Sequence, residues 1–207
     1  MRDFGLVVIG AHTGQYLKET ISKYSDKNIL LVEPVPYNYE VLEKEYANFE
    51  NFFICKNAVL DISNKRNFFY VKKDSIKKLG KHWATGIGSF DKNHILGHKG
   101  KRFNIDDKDI QEIEIDFIRF EELVERYSVR SIDKLQLDVE GAEYKILNSI
   151  DFHKVSINEI FFESKHFDGT FYEGGKLKET KKMLEANGYI LEKADSENIL
   201  ARKVISG

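Results

Sequence analysis

Leu6-Val7-Val8-Ile9-Gly10-Ala11-His12-Thr13-Gly14 is an unbroken apolar run that passes directly into a small-residue turn bounded by glycines. A strand buried on both faces needs apolar side chains at every position, so residues 6–9 read as a central strand of a parallel sheet. The turn behind it lets backbone N–H groups and the start of the next helix approach a ligand closely. Tyr16, Leu17, Thr20, Ile21 and Tyr24 then recur at helical spacing, which completes a strand, turn and helix unit.

The same alternation continues outward. Residues 29–32 form a second buried strand, which Pro34 and Pro36 stop. The helix they open is expected to turn Tyr39, Val41, Leu42 and Tyr46 inward. Strands follow at 52–55 and 67–71, then at 112–115, and a helix carries Phe120, Leu123 and Val124. A strand at 134–137 ends on Asp138, with a helix over 142–148 behind it. Residues 160–162 are the next buried strand and 176–187 the next helix, closed by Gly188 as its cap. An antiparallel hairpin of 189–192 and 199–201 closes the chain. Strands alternating with helices predict βαβ units in an α/β, doubly wound, mostly parallel sheet.

Length and composition narrow the class. With 207 residues, 42% hydrophobic and 32% charged, one domain over 1–207 is expected. Residues 73–108, rich in Lys, His, Gly and Asp and without sustained periodicity, read as a loop excursion from the sheet. The net charge of -2 provides no global field for a nucleic-acid backbone or an anionic membrane. The single cysteine, Cys55, excludes an internal disulfide and a thiolate zinc site. The first apolar run is too short for a signal peptide and no run approaches a membrane span. A soluble, cytoplasmic protein is expected, without nucleic-acid or membrane partners and compatible with a homo-oligomer.

Candidate chemistry gathers at the strand ends. Glu33, nineteen positions after Gly14, sits where a carboxylate can accept both ribose hydroxyls of an adenosine ligand. Asn57 and Ala58 follow the third strand, where an amide can read an adenine edge or simply form a turn. Asp138-Val139-Glu140-Gly141-Ala142-Glu143 crowds three carboxylates around a glycine. Part of that crowding has a structural reading, with Asp138 as a helix cap and Glu140 or Glu143 favouring the positive helix end.

Together these pieces resemble the FkbM family of methyltransferases across nearly the whole chain. The resemblance rests on Leu137-Asp138-Val139-Glu140-Gly141-Ala142-Glu143, on Ile9-Gly10-Ala11-His12-Thr13-Gly14-Gln15 and on Val32-Glu33-Pro34. Asn57-Ala58-Val59 and Phe162-Glu163-Ser164-Lys165-His166 complete it. It implies a seven-stranded Rossmann-like sheet with helices on both faces and S-adenosyl-L-methionine as cofactor. It also implies transfer to a hydroxyl of a sugar or another small metabolite. Gly10, Ala11, His12 and Gly14 would line the cofactor, with Glu33 at its ribose, Asn57 and Ala58 at its adenine and Asp138 at its methionine end. One departure is Val8, where the family usually carries an acid.

A neutral hydroxyl is a poor nucleophile, so a nearby base is expected, and His166 is the first candidate. Asp138, Glu140 and Glu163 are expected to orient the acceptor, with Ser89 and Lys165 also on the substrate side. No spacing of these groups marks a metal site. Between Lys72 and Arg102 lie nine Lys or Arg against two Asp, which suits either a lid for an anionic sugar or nucleotide-sugar or a merely solvated surface. Two rivals remain: a non-catalytic scaffold of the same fold, and a nicotinamide-dependent oxidoreductase, whose expected third glycine is replaced by Leu17.

Overall fold

β1 (Arg2–Ile9) buries its last six residues and runs through the middle of the main sheet. The computed structural model describes residues 1–80, 82–101, 103–139, 141–164, 167 and 174–204, with His82 and Trp83 described by their backbone alone. After the glycine turn come a three-ten turn, α1 (Lys18–Lys23), β2 (Asn28–Val32), α2 (Pro36–Tyr46) and β3 (Phe52–Cys55). β4 (Ala58–Leu60), β5 (Asn64–Val71), α3 (Lys73–Leu79), β6 (Gly88–Ser89), α4 (Lys92–Leu96) and β7 (Ile110–Arg119) follow. The last third holds α5 (Phe120–Arg126), β8 (Val129–Leu137), α6 (Glu143–Asn148), β9 (Ser156–Glu163), α7 (Gly175–Ala186), β10 (Tyr189–Lys193) and β11 (Asn198–Lys203).

The main sheet has seven strands in the order β10-β11-β9-β8-β1-β2-β3. Its pairs are parallel except at β11, which runs antiparallel to both β9 and β10. This is the doubly wound α/β sheet with a C-terminal hairpin expected from the sequence. On one face Leu17, Ile21 and Leu42 cover Leu6, Val8, Ile29 and Leu31. On the other, Leu123, Ile146, Leu147, Leu177 and Leu184 pack against Val7, Ile9, Leu135, Leu137 and Phe162.

Three expectations are corrected. Residues 64–71 and 110–119 do not join the main sheet; they pair with each other and with β4 and β6 in a second sheet of order β4-β7-β5-β6. Residues 73–108 are not a loose loop, because α3, β6 and α4 enclose a cluster of Val71, Leu79, Ala84, Ile87, Ile95, Phe103, Ile105 and Ile110. Helical faces also differ. Tyr16 and Val41 are exposed, and α2 buries Asn38 and Leu42 rather than its tyrosines. In each helix the apolar stripe is short, and neighbouring large side chains compete for a face only one or two residues wide.

Asp109 ties the base of this added region. Its carboxylate accepts from Lys78 Nζ at 2.8 and 3.0 Å, from Ser75 Oγ at 2.9 Å and from the Asp106 N–H at 3.0 Å. Burial pushes its carboxyl up, but these donors hold it at about 2. Its folded-state pKa lies below the unfolded value, so its contribution is present above the ordinary carboxylate range and fades as pH falls toward about 2. Asp109→Ala is expected to destabilise the protein by about 2 kcal/mol at pH 7. Urea unfolding of both proteins at pH 7 and pH 3 should show the gap narrowing at the lower pH.

Candidate active site

The strand order reverses between β1 and β8, and in open α/β sheets ligands bind above the carboxyl ends of the strands at that point. Three strand ends are locked together there. Gly10 N and Ala11 N each donate to Val32 O at 3.0 Å, and Asp138 N donates to Ile9 O at 3.0 Å. Gly10 has φ 89°, and a Cβ on it would lie 1.8 Å from the Asp138 carbonyl oxygen. Only glycine permits this approach. The turn closes through Gly14 N to Ala11 O at 3.0 Å, and His12 between them takes a positive φ of 51°.

Glu33 at the end of β2 is buried beneath this turn. Its Oε2 accepts from the His12 N–H at 2.8 Å, and its Oε1 from the Val35 N–H at 2.9 Å and from Asn38 Nδ2 at 3.3 Å. Burial raises its carboxyl to about 7, against the pull of those three donors, and the Asp138 charge adds to the rise. A carboxylate offers roughly four acceptor positions, so one is left on Oε2 for a ligand hydroxyl.

Asp138 stands exposed at the rim. It does not cap α6: the N-cap is Ala142, which makes no side-chain cap. Glu143 organises this segment instead, folding back to accept the Val139 N–H at 2.8 Å and the Gly141 N–H at 2.9 Å. Burial lifts Glu143 to about 8 while those N–H groups pull down, and the charges of Glu163 and Asp138 add to the rise. Glu163 is half-buried at the end of β9. Four carboxyl groups, Glu33, Asp138, Glu143 and Glu163, thus gather at one sheet edge, and the two buried ones ionise only at about 7 and about 8.

Asn57 and Ala58 line the cavity, together with Gly10, Glu33, Ser89 and Asp138. The Asn57 amide is engaged at both ends, donating to Asp116 O at 2.9 Å and accepting from the Arg126 guanidinium. It meets the cavity as a wall and does not present a free amide edge to an adenine. Ser89 Oγ accepts from the Asp91 N–H at 3.0 Å. Val8 is wholly buried in the cluster beneath α1, so an apolar core contact occupies the position where the family carries an acid. Glu140, Lys165 and His166 lie outside the described residues.

Residues 84–90 form a strap across the cavity. Gly88 pairs with Tyr70, and a Cβ on it would lie 2.5 Å from Phe68 Cζ, so the strap lies flat on β5. Phe90 sits beneath the Lys145 ammonium, 4.9 Å from its ring centre. The space left is about 70 Å³, whereas ligand pockets run to roughly 300–1,000 Å³. The strap covers part of this space. Three lysines of the basic run beside it are ion-paired, Lys78 with Asp109, Lys92 with Asp107 and Lys99 with Asp106.

The α/β sheet order brings a glycine turn and a strand-end acid to its switch point, an arrangement that suits an adenosine-type cofactor. A model of the methyltransferase FkbM domain matches residues 9–191, and the chain belongs to that family. No curated protein sequence is significantly similar. Among solved structures, the fibrillarin pre-rRNA processing protein of Methanococcus jannaschii aligns at TM-score 0.47 and 13% identity, over 98% of this chain and 67% of its own. A precorrin-6y C5,15-methyltransferase from Geobacter metallireducens GS-15 aligns at 0.46 and 12%, over 99% and 82%. Aeropyrum pernix fibrillarin, solved with natively bound S-adenosyl-L-methionine, aligns at 0.45 and 14%, over 96% and 67%.

The protein is an S-adenosylmethionine-dependent methyltransferase, and its strand ends fit that cofactor. The sulfonium and ammonium of the cofactor carry positive charge, which the acids at this edge favour when ionised, and the open position on Glu33 suits a ribose hydroxyl. Sequence reasoning missed Asn38 and the fold-back of Glu143. Glu143 was visible in the acidic motif, but its direction was not; Asn38 carried no signal beyond its place in the first turn of α2.

Proposed function

We propose that this methyltransferase acts on a hydroxyl of a sugar or another small metabolite in the cytoplasm, with Glu33 on the cofactor ribose and Asp138 toward the acceptor. The observation that supports it is the different exposure of the carboxylates. Glu33 and Glu143 are buried and hold backbone N–H groups, whereas Asp138 is exposed at the cavity rim, where an acceptor hydroxyl can meet it. Cys55 is buried and unpaired with any other cysteine, in keeping with a reducing compartment. Among the described residues no helix is long and apolar enough to cross a membrane.

The bound cofactor supplies an electrophilic methyl group. The protein's part is alignment, water exclusion and removal of the hydroxyl proton. The glycine turn fixes one wall, the strap excludes solvent, and Asp138 Oδ would accept a hydrogen bond from the attacking hydroxyl and take its proton as the C–O bond forms and the sulfur–methyl bond breaks, the neutral thioether leaving. Asp138→Asn keeps the size and removes the base, so turnover is expected to fall about 100-fold or more, with a smaller loss of cofactor affinity from the charge removed. Mass spectrometry of a panel of sugars, nucleotide-sugars and small alcohols incubated with enzyme and cofactor tests the reading. Methyl ethers formed by the wild type and lost in Asp138→Asn support it; methylation of nitrogen acceptors alone would sink it.

A further inference from the structure

We propose that Asn38 is a positioning residue that couples the Glu33 carboxylate to the strap over residues 84–90, so that ribose held at Glu33 and strap closure favour one another. The inference rests on assigning the ribose to Glu33, and it does not depend on the acceptor. Asn38 is wholly buried in the first turn of α2. Its one amide nitrogen donates both to Glu33 Oε1 at 3.3 Å and to the Thr85 carbonyl at 2.9 Å. His12 makes the matching pair of contacts from the opposite side, its N–H to Glu33 Oε2 at 2.8 Å and its imidazole to the Thr85 hydroxyl. Glu33, Asn38, Thr85 and His12 thus form a ring that joins a strand end, a helix, the strap and the cofactor turn.

The Asn38 carbonyl oxygen, Oδ1, is buried without a hydrogen-bond partner among the described residues. An apolar side chain of similar shape would avoid that unsatisfied acceptor, so the amide is explained by its donors. Turning it over would set its oxygen against two acceptors, which fixes the orientation. Gly86, Gly88, Ser89 and Phe90 of the strap line the same cavity as Gly10 and Glu33, so a cofactor seated at Glu33 meets the strap directly. On opening, Thr85 leaves and the amide loses one of its two anchors; on closing, Asn38 again holds Oε1 and leaves Oε2 directed to the ligand. Coupling of this kind acts equally in both directions.

Hydrogen exchange at the amides of residues 84–90, with and without S-adenosylhomocysteine, tests the coupling in the full chain. In the wild type, the ligand is expected to slow exchange there about tenfold or more. In Asn38→Leu, ligand-free exchange elsewhere stays as in the wild type, but protection of the strap falls below about threefold and affinity drops about tenfold. If Asn38→Leu does not fold, Asn38→Asp, which keeps the shape but sets an acceptor against both partners, is read the same way. An unprotected strap in the wild type, or equal protection in the variant, overturns the coupling. Calorimetry on Glu33→Gln separates the two assignments: unchanged affinity there removes the ribose contact itself, whereas weakened affinity beside intact strap protection in the Asn38 variant removes only the coupling.

Discussion

Gly10→Ala is expected to destabilise the fold by about 4 kcal/mol and to abolish measurable binding of S-adenosylmethionine. Two costs add at this position. An alanine resists φ 89°, and its Cβ would lie 1.8 Å from the Asp138 carbonyl oxygen. That oxygen belongs to the backbone and has no rotamer to change, so relief requires parting the end of β1 from β8. The same movement breaks the Asp138 N to Ile9 O bond and displaces the Gly10 and Ala11 N–H groups from Val32. Denaturant unfolding reads the first effect and calorimetry the second. Gly14→Ala at φ 74° meets only the Leu42 side chain at 3.0 Å, so it serves as the milder control.

The second large effect concerns Glu33 and pH. Glu33→Ala is expected to weaken cofactor binding about 100-fold, since a hydrogen bond to a charged group is lost together with attraction for the sulfonium. Burial raises this carboxyl from 4.5 to about 7, so it ionises near neutrality. On the proposed ribose contact the ionised form accepts the hydroxyl and attracts the cation, so wild-type affinity should rise about tenfold from pH 6 to pH 8, and in Glu33→Gln only the smaller rise from Glu143, which ionises at about 8, should remain. In the ligand-free protein the sign is opposite. A folded-state pKa above the unfolded one means that the folded protein keeps its proton longer, so this site costs stability as pH rises through about 7. Titrations of both proteins across that range distinguish the two signs.

The main sheet was legible because its central strands are buried on both faces and therefore unbroken apolar runs, as in residues 6–9 and 29–32. The second sheet was not. β7 alternates half-buried and exposed residues along most of its length, and its partner β5 lies far back in the chain, across an added region whose pairing no local periodicity reports. The glycine turn and the acidic motif declared themselves through residue type. Gly10 showed that a close approach was needed, although its partner, the Asp138 carbonyl, is a fact of folding. Glu143 was visible as an acid near a helix start, yet the choice between Asp138 and Glu143 as the group holding that segment depends on the direction of one side chain. Asn38 sits in a helix whose inward face was expected to be Tyr39, Val41, Leu42 and Tyr46; its burial follows from the strap that lies over it, which a helical repeat cannot reveal.

The proposed seat of S-adenosylmethionine is the switch point, with its ribose on Glu33. Calorimetric titration of the purified chain and of Glu33→Ala with S-adenosylmethionine, and with NAD for comparison, tests it most directly. One-to-one binding of S-adenosylmethionine alone, weakened about 100-fold in the variant, is the predicted result. Binding of neither ligand, or equal affinity in the wild type and Glu33→Ala, would contradict it.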